Sequence, residues 1–418
     1  MIKKISDIFN NLGPGVLLAA TAIGVSHLVQ SVQAGANYGL LFIAIIIFAH
    51  VLKYPFFEIA PRYSAAKKQS ILHGYYDINP RYLYVYLIAT LLSLFTLLSA
   101  VTVVAAGIFA NIFKLDFSIK IYSIFVIVFC YIILTFGKYD LLDRWAKYII
   151  LFLVISSLAS FAISFQSLDS LQHSSKKSFS LINDLDLIFL LGFIGWMPCP
   201  LDCSIWNSIW IVEKNNENRE KINLNKSLTD FNIGYAITAI LAILFLLLGY
   251  IMFFYTNEEL PVKSVEFIAK LLEIYTKNIG EWSFYIIAFT AFIAMFSTVL
   301  TCTDGYPRSL AKTIKLLFYV KKNKNCNEDK IYLNVLTGCV VLTIITIVFL
   351  VENMKQLVLI ATMISFLTTP VIAWLNLKLV TKSDFPKEYR PSKKFILYSK
   401  FAIFIMIGFV ILYLGTFL

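Results

Sequence analysis

The length of its uncharged stretches decides most about what this chain can fold into. Tyr82 to Phe113 and Ile331 to Val351 carry no charged side chain and are largely apolar. Crossing a hydrocarbon layer of about 30 Å takes roughly 20 consecutive apolar residues in a helix, the one open-chain form that satisfies every backbone N–H and C=O within the segment. Stretches of that kind recur from end to end. The alternating ten-residue segments of a membrane barrel do not, so helices rather than strands are expected. Of the 418 residues, 59% are hydrophobic and 15% charged, a balance that leaves lipid as the solvent for most side chains.

Eleven spans are expected, near residues 13–36, 38–60, 82–112, 119–137, 143–167, 183–212, 228–255, 280–302, 331–351, 356–376 and 395–417. The connections between them are too short for a separate soluble domain, which predicts one all-α membrane domain over residues 1–418. Lys and Arg concentrate in the N-terminal segment and in every second connection, so the positive-inside rule places the N-terminus in the cytoplasm and the protein in the inner, cytoplasmic membrane. The net charge of +11 then follows from basic loops such as Lys312 to Lys330 and Lys382 to Lys394 facing an anionic leaflet. Charges divided among short loops do not make a nucleic-acid surface. Met1 to Asn11, with Lys3 and Lys4 ahead of an apolar stretch, superficially resembles a secretory signal. The apolar run continues past Ala36 with polar interruptions, and is read as a span.

Enzymatic chemistry has little to draw on. The chain has six cysteines without a CxxC pair, and four histidines, His27, His50, His73 and His173. A disulfide framework, a structural zinc site and a histidine-rich catalytic centre are not expected, nor is a resident cofactor. There is no GxSxG, HExxH, phosphate-binding loop or dinucleotide fingerprint.

Two spans are interrupted by small, polar or proline residues at mid-depth: Gly24-Val25-Ser26-His27 in the first, and Gly195-Trp196-Met197-Pro198-Cys199-Pro200 in the sixth. Single kinks often serve packing alone. A pair five spans apart is the pattern of an inverted-repeat transporter, with substrate held between half-helices at the midplane. The repeats would cover 13–167 and 183–376, with a peripheral helix at 395–417.

The breaks also gather the chemically able residues. Pro198 and Pro200 remove two backbone donors, so carbonyls near Ile194 to Trp196 should be freed toward a cavity. Met197 offers a soft thioether, or simply packs. Asp202 costs about 2.5–3.5 kcal/mol at the bilayer centre, and either faces a cavity or caps the first turn of the outgoing half-helix. Ser26 is a candidate N-cap for the second half of helix 1. His27 is placed to bind metal, relay protons or sit satisfied in the core. Cys199 and Cys203 share a helical face if the helix resumes at once, where Cys203 is read as packing. Lys53 and Glu58 in the second span are expected to pair with each other. Ser297, Thr298 and Thr301 either line a pathway or bond back to their own helix.

With these residues in view, the first span, Gly13-Pro14-Gly15 through Gln33-Ala34-Gly35-Ala36-Asn37-Tyr38-Gly39, resembles the first helix of the Nramp divalent-metal transporters. Met197-Pro198 is similar to that family's Met-Pro motif in helix 6. The resemblance implies the leucine-transporter-like fold, alternating access and a site between helices 1 and 6. The chain departs from the family where Gly24-Val25-Ser26-His27 stands in place of Asp-Pro-Gly-Asn: the metal-binding Asp falls on Gly24 and the metal-binding Asn on His27. The family's histidine two residues after the methionine falls on Cys199. The third span holds no Asp or Glu and the ninth no Arg, which removes the polar groups that the family associates with proton movement.

The resulting expectation is a secondary transporter, not an enzyme, moving a divalent transition-metal cation of the Mn, Fe or Zn class, with proton coupling inherited from the resemblance. Gly24, Ser26, His27, Ile194, Met197, Cys199 and Asp202 would bind substrate; His27, Met197, Cys199 and Asp202 would be the metal ligands. His27 and Asp202 would carry any coupled proton. The alternative reassigns the scaffold to a small organic or anionic solute held by the half-helix N-termini near Ser26 and Pro200. A transport-dead sensor or membrane enzyme is a third class without a visible constellation to support it.

Overall fold

A computed structural model describes residues 13–136, 148, 150–159, 161–162, 179–180, 183–218, 223–254, 266, 269–270, 272–273, 276, 280–319, 327–350 and 354–415. The expectations for residues 1–12, Cys326, His173 and about half of the fifth span lie outside the described residues. In chain order the helices are α1 (Pro14–Ala22), α2 (Ser26–Tyr38), α3 (Leu41–Lys67), α4 (Ile71–Ile78), α5 (Arg81–Phe113), α6 (Ile119–Phe136) and α7 (Ile150–Ala159). They continue with α8 (Asp184–Trp196), α9 (Asp202–Asn218), α10 (Leu224–Gly249), α11 (Phe284–Ile314), α12 (Glu328–Leu350), α13 (Met354–Thr381) and α14 (Lys393–Gly415). Seven of these, α3, α5, α6, α10, α12, α13 and α14, are long and apolar enough to cross a membrane, and α1 with α2 makes an eighth span bent by 49°. The helix pair α8 and α9, and α11, stand at the places of the sixth and eighth expected spans.

Both expected interruptions are present. Ile23-Gly24-Val25 separates α1 from α2, and Met197 to Leu201 separates α8 from α9. α1 and the turns of α2, α8 and α9 next to the breaks are buried, whereas α6, α12 and α14 turn large apolar side chains such as Phe125, Phe349 and Phe404 outward. An apolar exterior around a buried, polar-interrupted centre is the arrangement lipid demands.

The broken first span is held against α10 by glycines. A Cβ on Gly234 would lie 2.2 Å from the Gly15 carbonyl oxygen, and one on Gly249 would lie 2.2 Å from that of Val32. Gly35 meets the Leu246 carbonyl in the same way, at 2.0 Å. Backbones this close exclude any side chain, the small-residue packing that substitutes for the hydrophobic effect between helices in lipid. At the start of α1 the Asp230 carboxylate of α10 accepts from the N–H groups of Gly13 (2.9 Å) and Gly15 (2.7 Å). It satisfies amides that no helical carbonyl can reach and complements the dipole.

Glu58 does not pair with Lys53. Its carboxylate is taken by Arg62, one turn further along α3, which also donates to the Tyr389 carbonyl at 2.9 Å. Positions five apart on a helix point about 140° away from each other, while positions four apart share a face.

Gly234→Val is expected to lower the thermal unfolding midpoint of the detergent-solubilised protein by the equivalent of at least about 1–3 kcal/mol, since backbone must move to admit the side chain. Gly338→Ala, where a Cβ meets no atom within 4 Å, should leave the midpoint unchanged or slightly raised.

Candidate functional site: a chamber between two helix breaks

At the first break the chain turns tightly, with the Gly24 N–H donating to the Ala22 carbonyl at 2.8 Å, and α2 resumes by sending the Leu28 N–H to the Gly24 carbonyl at 2.9 Å. Carbonyls left behind by the turn are collected by one hydroxyl of α11. Thr298 Oγ1 lies within hydrogen-bond reach of the carbonyls of Ala20 (3.1 Å), Ile23 (3.3 Å) and its own Ala294 (3.3 Å). Gly24 is required here because a Cβ would stand 2.7 Å from Thr298 Cγ2.

Ser26 does not cap α2. Its hydroxyl sits 3.0 Å from the Ala22 carbonyl, 3.2 Å from the Pro198 carbonyl and 2.8 Å from His27 Nδ1. The α2 backbone is already helical at Val25, so no extended residue is positioned to turn its side chain onto the first amides. Instead Ser26 bridges the two breaks.

At the second break α8 ends as the Met197 N–H reaches the Phe193 carbonyl at 2.9 Å, and the Met197–Pro198 peptide is cis. Pro198 and Pro200 have no N–H to give the carbonyls of Ile194 and Trp196. The expected release of carbonyls near Ile194 to Trp196 is realised at Gly195, whose oxygen receives Lys53 Nζ at 2.5 Å; the same ammonium lies 3.3 Å from the Cys199 carbonyl. Lys53, 1% exposed, therefore spans from α3 to the break.

The breaks enclose a small chamber of about 30 Å³. Gly24, Ser26 and Cys199 line it, with Cys203 one turn into α9, and Thr298 and Cys302 from α11. Trp196 and Trp206 form part of its apolar wall. Three cysteines and three hydroxyl residues, Thr21, Ser26 and Thr298, thus line a space with no carboxylate on its wall.

Of the expected substrate-binding residues, Gly24, Ser26 and Cys199 reach this chamber, whereas Ile194, His27, Met197 and Asp202 are buried beside it without lining it. His27, fully buried, donates from Nε2 to the Thr238 carbonyl at 3.0 Å, which leaves Nδ1 of the neutral ring an acceptor that competes with the Ala22 and Pro198 carbonyls for the one Ser26 proton. Thr238 also joins His27 to His50, whose Nε2 is 3.2 Å from Thr238 Oγ1. Asp202 opens α9 as expected, yet it faces α5: Oδ2 accepts from Ser93 Oγ at 3.2 Å, and Oδ1 has no partner among the described residues. Its carboxylate makes no bond to the amides of its own turn. Among the described residues no three His, Cys, Asp or Glu side chains gather closely enough to hold a metal ion, so His27, Cys199 and Asp202 do not converge on one point in this conformation. Adjacent residues on a helix point 100° apart, which is why Ser26 can face the chamber and His27 cannot.

Cys203, read from the sequence as packing, lines the chamber, as does Cys302, which the sequence does not single out. Each follows another chamber residue by four positions, Cys199 and Thr298 respectively, and that helical spacing was the available signal.

The Nramp family model, described as Natural resistance-associated macrophage protein-like, matches residues 15–416. An uncharacterised protein of Pasteurella multocida (strain Pm70) is 32% identical over 410 residues, covering 97% of this chain and 92% of its own length. Among solved structures, an Eremococcus coleocola manganese transporter superposes with a TM-score of 0.71 at 14% identity, over 97% of this chain and 86% of that one. A Na+-coupled sialic acid symporter superposes with a TM-score of 0.59 at 14% identity, over 94% and 87% of the two chains. The multi-pass membrane fold follows from these matches together with the apolar helices.

Gly24→Ala is expected to destabilise the protein through its contact with Thr298, and Thr298→Ala to relieve part of that loss. A double-mutant cycle on thermal unfolding should return a coupling of about 0.5–3 kcal/mol, and additivity would show that the two side chains do not compete for the space. Any larger residue at position 24, aspartate included, starts from the same Cβ.

Proposed function

The chain belongs to the Nramp family, and on that premise we propose that it is an alternating-access carrier which moves a transition-metal cation through the chamber between the two breaks. Fold alone does not specify cargo, so the reading rests on the site. The observation that carries it is the size of the chamber. A space of about 30 Å³ takes one or two water-sized species, while pockets for organic ligands run to about 300–1,000 Å³. The thiols set the class of ion. Cys199, Cys203 and Cys302 on the wall, with the Met197 thioether behind it, suit softer ions such as Zn²⁺ or copper ahead of Mn²⁺ and disfavour Mg²⁺, although like the expected quartet the three cysteines do not gather into a ligand set in this conformation.

Metal binding to a thiol requires the thiolate, so each Cys ligand would supply the negative charge that the family draws from its Asp, and would release a proton as it did so. Asp202 is the further source of charge, its Oδ1 being without a partner among the described residues. Convergence of His27, Met197, Cys199 and Asp202 on an ion would need a different conformation of the break, which alternating access provides. The paired breaks favour two inverted repeats over 13–167 and 183–376, and the basic loops favour a cytoplasmic N-terminus in the inner membrane. The reading for a small organic or anionic solute draws on one feature, the lack of a carboxylate on the chamber wall.

Proteoliposomes holding a metal-sensitive dye decide between them. Saturable Zn²⁺ uptake without Mg²⁺ uptake is expected, with Cys199→Ser weakening apparent affinity about tenfold or more. Folded protein that moves none of Zn²⁺, Cu⁺, Mn²⁺ or Fe²⁺ sinks the metal reading in favour of an organic or anionic cargo.

A further inference from the structure

Lys53 carries a charge in a place where the site has no use for a lysine as ligand. It is 1% exposed on α3, and its ammonium rests on the carbonyl oxygens of Gly195 (2.5 Å), in the last turn of α8, and Cys199 (3.3 Å), within the second break. No carboxylate pairs with it among the described residues: Glu58 is bound by Arg62, and the Asp202 contact is Ser93. A buried charge without a counter-ion persists only where dipoles replace its hydration, and the freed carbonyls of a broken helix are such dipoles. Carbonyl oxygens converging on a compact monovalent cation are also how proteins bind alkali ions.

We propose that the Gly195 and Cys199 carbonyls form a monovalent-cation site which this protein fills with its own Lys53 ammonium. The tethered cation ties the end of α8 and the broken segment after it to α3, so the break needs no bound or co-transported alkali ion. The inference concerns how the break is held and is independent of what the chamber carries.

The test uses the full chain in detergent, comparing thermal midpoints in choline chloride with those in NaCl, KCl or methylammonium chloride at constant ionic strength. The wild type should show no saturable response to any of the three. Lys53→Ala should unfold several degrees lower in choline and recover saturably with at least one small cation. Lys53→Met, which keeps most of the stem but no charge, should be as low as Lys53→Ala and should not recover. Should Lys53→Ala not survive extraction in choline, the readout becomes its folded yield when extracted in each cation. A wild type saturably stabilised by Na+ or K+, a Lys53→Ala that no cation raises or restores, or a Lys53→Met as stable as wild type would each overturn the proposal.

Discussion

Backbone carbonyls without a helical partner, buried where water does not reach, are what the rest of this molecule is arranged around. In lipid an unbroken helix settles every such group internally, and a break leaves several kcal/mol of unmet polarity for each one exposed to hydrocarbon. Here side chains brought in from other elements supply partners that the breaks take away. Thr298 of α11 serves the end of α1, Lys53 of α3 serves the end of α8, and Ser26 links one break to the other through the Pro198 carbonyl. Helices distant in sequence are thereby committed to meet at one depth, and the chamber is the space left between them.

The glycines give those contacts a rigid frame. Close approach of α1 and α2 to α10 fixes both halves of the first broken span against one straight helix, and Asp230 pins the start of α1 to the same helix. The second broken span lacks that glycine fastening to a single helix. Gly192 and Gly195 of α8 approach α13 through Thr362 and Phe366, and α9 packs Trp206 onto Gly305 of α11. A unit made of α1, α2 and α10, facing halves of helix 6 that lean on separate neighbours, is a mechanical asymmetry suited to rocking one part against the other.

What the sequence made legible divides along the same line. Breaks, freed carbonyls and spans follow from local chemistry: proline has no N–H, glycine and serine interrupt apolar runs, and length decides what crosses a bilayer. Partners across helices do not. The Lys53–Glu58 pairing failed because Arg62 lies on the correct face and Lys53 reaches across to α8, a contact separated by 142 positions. Ser26 was read as a local cap, and its hydroxyl instead serves the other break. The proposed ligand quartet is drawn from residues beside the two breaks, whereas position around each helix decides which face the chamber: Cys199 and Ser26 do, and His27 and Asp202 turn to Thr238 and Ser93.

The departures from the family pattern form a consistent set when charge is followed through them. Glycine at position 24 removes a carboxylate, and Thr298 fills the space against it, so the change is accommodated in packing as well as in charge. Lys53 then places a positive charge on the carbonyl of Cys199, a residue of the chamber wall. On the proposed metal reading, a divalent ion in the chamber would be repelled by that ammonium, the more so the closer the two lie and the less water stands between them. Ionised thiols reverse that sign, since each adds a negative charge in contact with the ion rather than several ångströms away. On that reading, lysine behind the wall and cysteines upon it would act together: a hard ion that cannot draw protons from thiols would face the repulsion uncompensated, and a soft one would bring its own compensation by creating thiolates.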